Sequence, residues 1–160
     1  MTTLEKITRI GAIVVIWALM LGGALVAVAV PILATALVDQ YAEYENDFWL
    51  ITGMLEAPVA IAVTMLAIIL VLLRRIRIDR MFTDTSFQWV RALSYDAFFL
   101  AVSFAVIMIW LNIKNTLPPL VGIALILAIF LPLAVSLVTR TLLGLLKKAT
   151  AASVELEAVI

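Results

Sequence analysis

Two residue types are missing from the sequence, cysteine and histidine. Without cysteine the chain has no disulfide, no thiolate metal site and no cysteine nucleophile. Without histidine it lacks the commonest metal ligand and the commonest general base near neutral pH. No nucleophile, base and orienting group converge elsewhere in the sequence. We therefore expect a chain that is not an enzyme, with no catalytic residues, no metal and no cofactor.

Charged residues are also scarce: they make up 14% of the 160 residues, whereas apolar residues make up 66% and the mean hydropathy is +1.21. Soluble domains contain about 45–50% apolar residues. Four membrane spans of ~20 residues would occupy half the chain or more and leave only short loops. We predict an all-α fold, an integral membrane bundle of four transmembrane helices that forms one domain over residues 1–160.

Uncharged runs and turn-forming residues give the expected boundaries. The spans are predicted at about residues 10–38, 54–73, 92–113 and 119–146. The other segments are an acidic external loop at 39–53, a basic cytoplasmic loop at 74–91 and a cytoplasmic tail at 147–160. We expect Pro31 to bend the first span, Pro58 to lie in the first turn of the second and Pro132 to interrupt the fourth.

A cleaved signal peptide is the rival interpretation of the first span. Lys6 and Arg9 precede an apolar stretch that ends in Ala34-Thr35-Ala36. That stretch is about twice as long as the usual 7–15-residue signal core. We therefore favour a first transmembrane helix.

The basic residues are segregated, and this predicts the orientation. One side of the predicted spans has only Lys114. The other side collects Lys6, Arg9, Arg74, Arg75, Arg77, Arg80, Arg91, Arg140, Lys147 and Lys148. Cytoplasmic loops carry the excess of lysine and arginine in membrane proteins. We predict that both the N-terminus and the C-terminus are cytoplasmic, in a multi-pass membrane protein.

The arginines of the basic loop are the candidate contacts to anionic lipid headgroups. They are Arg74, Arg75, Arg77, Arg80 and Arg91. Each cation close to an anionic membrane surface contributes about 1 kcal/mol to binding. Any cytoplasmic loop is basic for topological reasons, so that simpler explanation fits the same residues.

Charges inside the spans are costly and tend to pair or to line cavities. Asp96 and Arg140 lie at compatible depths in the third and fourth spans, which favours a structural ion pair between these helices. Independent snorkelling to the interface and a proton or ion pathway are the alternatives. Glu56 and Lys114 are the corresponding charges on the outer side, each at the external mouth of a span. The acidic loop lacks the glycine-punctuated spacing of a calcium loop, so we expect no metal there.

Small residues on the first span form two overlapping registers with a spacing of four. Ala18 and Gly22 form one register, and Gly23 and Ala27 form the other. Such spacing favours close helix packing. The pattern leaves open whether the packing is within the chain or between copies in a homo-oligomer.

Several segments together resemble a known family. The basic loop reads Leu72-Leu73-Arg74-Arg75-Ile76-Arg77, then Met81-Phe82-Thr83 and Trp89-Val90-Arg91-Ala92-Leu93. The tail reads Leu145-Leu146-Lys147-Lys148, then Val154-Glu155-Leu156-Glu157-Ala158-Val159-Ile160. With the four spans, this layout resembles the bacterial membrane family named domain of unknown function 2975, over nearly the whole chain. The resemblance implies no established activity and a cytoplasmic partner, a small Cro/C1-type helix-turn-helix regulator.

These observations favour a non-enzymatic membrane partner or sensor that works with a cytoplasmic helix-turn-helix regulator and does not itself bind nucleic acid. The alternative is a small oligomeric channel or transport accessory subunit, suggested by Asp96, Arg140, Pro31 and Pro132. A membrane enzyme acting on lipids is disfavoured by the lack of histidine and cysteine.

Overall fold

A computed structural model describes residues 3–40, 46–76 and 84–157, which form four helices. They are α1 (Thr3–Gln40), α2 (Phe48–Ile76), α3 (Asp84–Ile113) and α4 (Pro119–Glu157), and there is no strand within the described ranges. Each helix contains a stretch long and apolar enough to cross a membrane, namely Ile10–Ala36, Phe48–Arg74, Phe87–Ile113 and Pro119–Lys148. The predicted all-α fold with four membrane-spanning helices is confirmed.

Most of the apolar surface of these helices faces outward. In an 18-residue apolar window of each spanning stretch, only 11% of the residues are buried inside the protein. A water-soluble protein rarely exposes contiguous apolar surface on this scale, whereas a bilayer covers it with lipid. Helices suit that environment because all their backbone hydrogen bonds can be made within the segment.

The helices pack in chain order. Close backbone approaches, with Cα atoms within 8 Å, join α1 to α2, α2 to α3 and α3 to α4, and no other pair of helices approaches this closely among the described residues. Asp47, just before α2, contacts Lys114, just after α3, and Thr64 of α2 contacts Asp96 of α3, so these two helices are antiparallel. The contacts between α3 and α4 establish the same relation. The bundle is therefore a row of helices that is open between α1 and α4.

The two ends of the row differ in charge. We call one the basic end. There α2 ends at Ile76, shortly after Arg74, and α3 begins; α4 carries Lys147 and Lys148 at the same end. We call the other the acidic end, where Asp47 precedes α2 and a short turn joins α3 to α4. The polar contacts described below are placed relative to these ends.

The second helix extends upstream of the predicted span. It begins at Phe48 rather than near residue 54, so Pro58 lies inside the helix and not in its first turn. Near the start, the Thr52 hydroxyl donates a hydrogen bond to the Phe48 carbonyl. Pro31 and Pro132 also lie inside their helices. Packing against neighbouring helices lets transmembrane helices accommodate proline.

A compact turn connects α3 to α4. Asn115 has a φ of 54°, in the left-handed region that asparagine tolerates better than most residues. The Thr116 amide donates to the Leu111 carbonyl and the Asn115 amide to the Asn112 carbonyl. This Schellman motif ends α3, and Pro119 is the first residue of α4. The turn fixes α3 and α4 as antiparallel neighbours.

The first helix packs on the second through one of its two small-residue registers. A Cβ atom on Gly23 would lie 2.7 Å from Cγ2 of Val63, so the glycine permits the close approach. A Cβ atom added to Gly22 would meet no neighbouring side chain or helix within 4 Å, and Ala18 is exposed. The Gly23 register therefore serves packing within the chain, and a role of Ala18 and Gly22 between copies stays a prediction.

Candidate functional site

A pair of serines joins α3 to α4 in the half of the row nearer the basic end. Ser94 and Ser136 are almost fully buried, with 1% and 2% of their surface exposed. The Ser136 hydroxyl donates to the Ser94 carbonyl at 2.8 Å, and the Ser94 hydroxyl donates to the Ser136 carbonyl at 3.1 Å. These reciprocal bonds require the two helix backbones to lie close together. Ala97, three residues after Ser94, is small and fully buried.

Arg140 extends this cluster. Its Nε donates a hydrogen bond of 2.9 Å to the Ser94 hydroxyl. Its guanidinium carbon lies 4.9 Å from the ring centroid of Tyr95, in the range of a cation–π interaction. The hydrogen bond and the ring together fix the orientation of the guanidinium group.

The structure does not contain the predicted ion pair between Asp96 and Arg140. Asp96 instead accepts a hydrogen bond of 2.8 Å from the Thr64 hydroxyl of α2, and the described residues contain no ion pair between Asp96 and Arg140. Arg140 does reach the level of Ser94 and Tyr95, so the expected depth agrees. Successive residues are ~100° apart around a helix, so Ser94 and Asp96 point in nearly opposite directions. One faces α4 and the other faces α2.

The acidic end has its own polar contact. Lys114 forms an ion pair of 2.6 Å with Asp47, just before α2, and its ammonium lies 5.8 Å from the centroid of Trp110. Lys114 therefore has Asp47 as an ion-pair partner at the mouth of the span. Asp47 is brought to Lys114 because α2 begins where α3 ends.

The five arginines of the basic loop are only partly described. Arg74 and Arg91 are exposed, at the end of α2 and near the start of α3. The side chain of Arg75 lies outside the described part of the chain, and Arg77 and Arg80 lie wholly outside it. Contact of these arginines with lipid headgroups stays a prediction.

A groove of about 700 Å³ lies in the half of the row nearer the acidic end. All four helices line it, for example through Val30, Val59, Phe104 and Val121, and every lining residue is apolar, proline or glycine. Since α1 and α4 do not approach closely, the row must curve so that both border the groove. The groove fits an apolar occupant because it offers no polar side chain to a ligand.

The two sites differ in chemical character, because the serine–arginine cluster is polar and the groove is apolar. The described side chains contain no group of three or more metal-binding residues. Ser94, Ser136 and Arg140 are already hydrogen-bonded to one another, so no hydroxyl faces a free base. The sequence reasoning missed Ser94 and Tyr95. A small-residue spacing through Ser94, Ala97 and Ala101 would have indicated the packed face of α3.

Comparison with known proteins places the chain in one family. No curated protein and no solved structure matches it. A family model, described as a protein of unknown function (DUF2975), matches residues 32–160, which include all of α2, α3 and α4 and their polar contacts. The match covers well over half of the 160 residues. The chain, whose fold has four helices able to span a membrane, belongs to the DUF2975 family of proteins of unknown function.

Proposed function

We propose that this chain is a non-enzymatic sensor of the bacterial cytoplasmic membrane that works with a cytoplasmic helix-turn-helix regulator. The groove carries the proposal, because four helices line it although α1 and α4 do not approach closely. Small movements at packed helix contacts can switch a protein between arrangements. A row held only between neighbours can open or close at the groove while each consecutive pair stays packed. The separation of α1 and α4 is therefore the variable that reports the state of the bilayer.

The occupant of the groove is the acyl chain of a membrane lipid. Pockets of about 300–1,000 Å³ are typical of small ligands, and the groove has about 700 Å³. The lining of α1 runs from Leu19 to Leu33, a rise of ~21 Å. A helix of this length and ~10 Å diameter would occupy on the order of 1,700 Å³. The size and apolar lining therefore favour one chain over a partner helix.

The basic end faces the cytoplasm in this proposal. The described cations at that end include Arg74, Arg91, Lys147 and Lys148, all exposed, whereas Lys114 at the acidic end is paired with Asp47. Excess lysine and arginine marks the cytoplasmic side of membrane proteins. The C-terminal part of α4 would then extend toward a soluble regulator, the partner that the family resemblance implies.

A channel or transport accessory is the second candidate, and the distribution of polar residues argues against it. The contacts of Ser94, Asp96 and Arg140 lie in the basic half of the row. The groove in the acidic half is apolar. Ion pathways require polar groups along their length. A single copy therefore offers no continuous polar path among the described residues.

Site-specific photo-crosslinking in native membranes tests the link to a regulator. A photoreactive residue at Lys148, exposed at the basic end, should capture a helix-turn-helix protein. The same residue at Trp49, which is 82% exposed at the acidic end, is the matched control and should not capture it. Capture from both positions, or from neither, would contradict the proposal. Captured proteins are identified by mass spectrometry and by the presence of a DNA-binding domain.

A further inference from the structure

One surface of the α3–α4 pair at the basic end carries three cations. Phe87, Arg91 and Tyr95 follow one another at a spacing of four, so they lie on one side of α3. Arg140 and Lys147, seven residues apart, lie on one side of α4. Arg140 contacts the Tyr95 ring, and the Lys147 ammonium lies 6.0 Å from the Phe87 centroid. We call these five residues the cationic face.

The three cations of this face have no carboxylate partner among the described side chains. The ion pair found among the described residues joins Lys114 to Asp47, at the opposite end of the row. Asp96, the nearest described carboxylate along α3, accepts its hydrogen bond from α2. Three cations close together without a counter-charge raise the local potential and attract an anion. The cationic face therefore has unbalanced positive charge.

Arg140 is held in a fixed position on this face. Its Nε is used by Ser94, while its two terminal nitrogens form no hydrogen bond with the described residues. Arginine binds phosphate through two parallel N–H···O bonds with a defined geometry. Arg140 lies seven residues before Lys147, or ~10 Å along the helix, and a long arginine side chain can snorkel toward the interface. Its free nitrogens are thus available to a group in the headgroup layer.

We propose that the cationic face binds the phosphate of an anionic phospholipid. Arg140 holds the phosphate oxygens through its terminal nitrogens, and Arg91 and Lys147 supply the additional charge. The exposed apolar surface of α3 continues from Tyr95 along the same side to Val102 and Val106, at spacings of seven and four. The acyl chains of the bound lipid lie on this surface, which favours a lipid over free phosphate. The site is separate from the apolar groove, which has no charged residue.

Lipid binding to the purified full chain tests this site. Protein in phosphatidylcholine nanodiscs is titrated with phosphatidylglycerol, and affinity is read from native mass spectrometry and from the melting temperature. Each near-surface cation strengthens the binding of an anionic lipid about fivefold. Arg91→Gln and Lys147→Gln should each weaken phosphatidylglycerol binding about fivefold. Arg140→Gln should weaken it more than either, because the two oriented bonds are lost.

The matched control is Lys148→Gln, which removes an exposed cation at the same end that lies next to Lys147 in sequence but ~100° away around α4. It should leave the affinity unchanged. Equal losses in Lys148→Gln and Lys147→Gln would overturn the proposal in favour of diffuse charge attraction. Inorganic phosphate that stabilises the protein in phosphatidylcholine discs as strongly as phosphatidylglycerol would overturn the assignment to a lipid. If Arg140→Gln fails to fold, Lys147→Gln decides the question, because the described contact of Lys147 is only with the Phe87 ring.

Discussion

Individual hydroxyl groups hold α3 and α4 together in the basic half of the molecule. Ser94 and Ser136 each donate to the other's backbone carbonyl, and their hydroxyl oxygens are 3.2 Å apart. Ser103 on α3 differs because its hydroxyl donates to the carbonyl of Leu100 in its own helix. The chain thus contains both an interhelical serine pair and an intrahelical serine for comparison.

Removing the serine pair should loosen the α3–α4 contact. Hydrogen bonds between transmembrane helices contribute about 0.6 kcal/mol on average and about 1.7 kcal/mol at most. Ser136→Ala should destabilise the protein within that range, and Ser94→Ala by more, because Arg140 also loses its acceptor. The free energy of unfolding in mixed micelles checks both. Ser103→Ala should have almost no effect, and a loss equal to that of Ser136→Ala would contradict the role of the pair.

The charged residues show which part of such a contact a sequence can predict. The depth of Arg140 follows from counting residues along α4, and it does lie level with the residues around Asp96. Its partner depends on the rotation of α3 about its own axis. That rotation is set by the packing of Ser94 and Ala97 against α4, which apolar periodicity does not reveal because lipid-facing residues are apolar too. The sequence therefore predicts the depth at which Arg140 contacts α3 but not the residue that it contacts.

Whole helices were easier to predict than their ends. Uncharged runs identify four spans because each must supply enough apolar length for the bilayer. The uncharged run Val59–Leu73 is short for a span, so the sequence favours a second helix that also takes in Phe48–Ala57, with the span itself predicted from about residue 54. The structure continues the helix back to Phe48, and its first residues are as apolar as those of the span. Charge and proline near a membrane interface do not by themselves end a helix.

The contact between α1 and α2 depends on the absence of a side chain at Gly23. An alanine there would place Cβ 2.7 Å from Val63, whose β-branched side chain has essentially one rotamer in a helix. Gly23→Ala should cost about 1–3 kcal/mol in the free energy of unfolding. The matched variant Gly22→Ala meets no neighbour and should be neutral or gain up to about 1 kcal/mol from helix propensity.

A compensating substitution separates crowding from other effects. Val63→Ala removes the atom that the new Cβ would strike, so it should restore much of the stability lost in Gly23→Ala. The same measurement in mixed micelles applies. Equal stability of Gly22→Ala and Gly23→Ala would show that α1 does not pack on α2 through Gly23.

The molecule as a whole is proposed to have its basic end in the cytoplasm. Because the sequence has no cysteine, single cysteines can be introduced without background labelling. A membrane-impermeant thiol reagent should label Trp49→Cys in intact cells and Lys148→Cys only after permeabilisation. The reverse pattern would contradict the orientation. Both positions are exposed, so burial does not limit the reaction.

The groove could not be predicted from the sequence. Its lining consists of the same leucine, valine and alanine residues that face lipid elsewhere, so composition does not distinguish the two surfaces. It arises from the arrangement of the whole row, in which α1 and α4 each have one neighbour. The number of spans and the charge asymmetry followed from local sequence, whereas the order of packing is a property of the assembled chain.

The most direct test of the proposed sensor is the separation of α1 and α4 in bilayers of different acyl-chain length. Spin labels at Ile32→Cys and Ile123→Cys, both exposed, report that distance by double electron–electron resonance. Labels at Ile109→Cys and Ile123→Cys report the packed α3–α4 pair as the control. We predict that the α1–α4 distance changes with acyl-chain length while the α3–α4 distance stays constant. An α1–α4 distance that is the same in every bilayer would contradict the account.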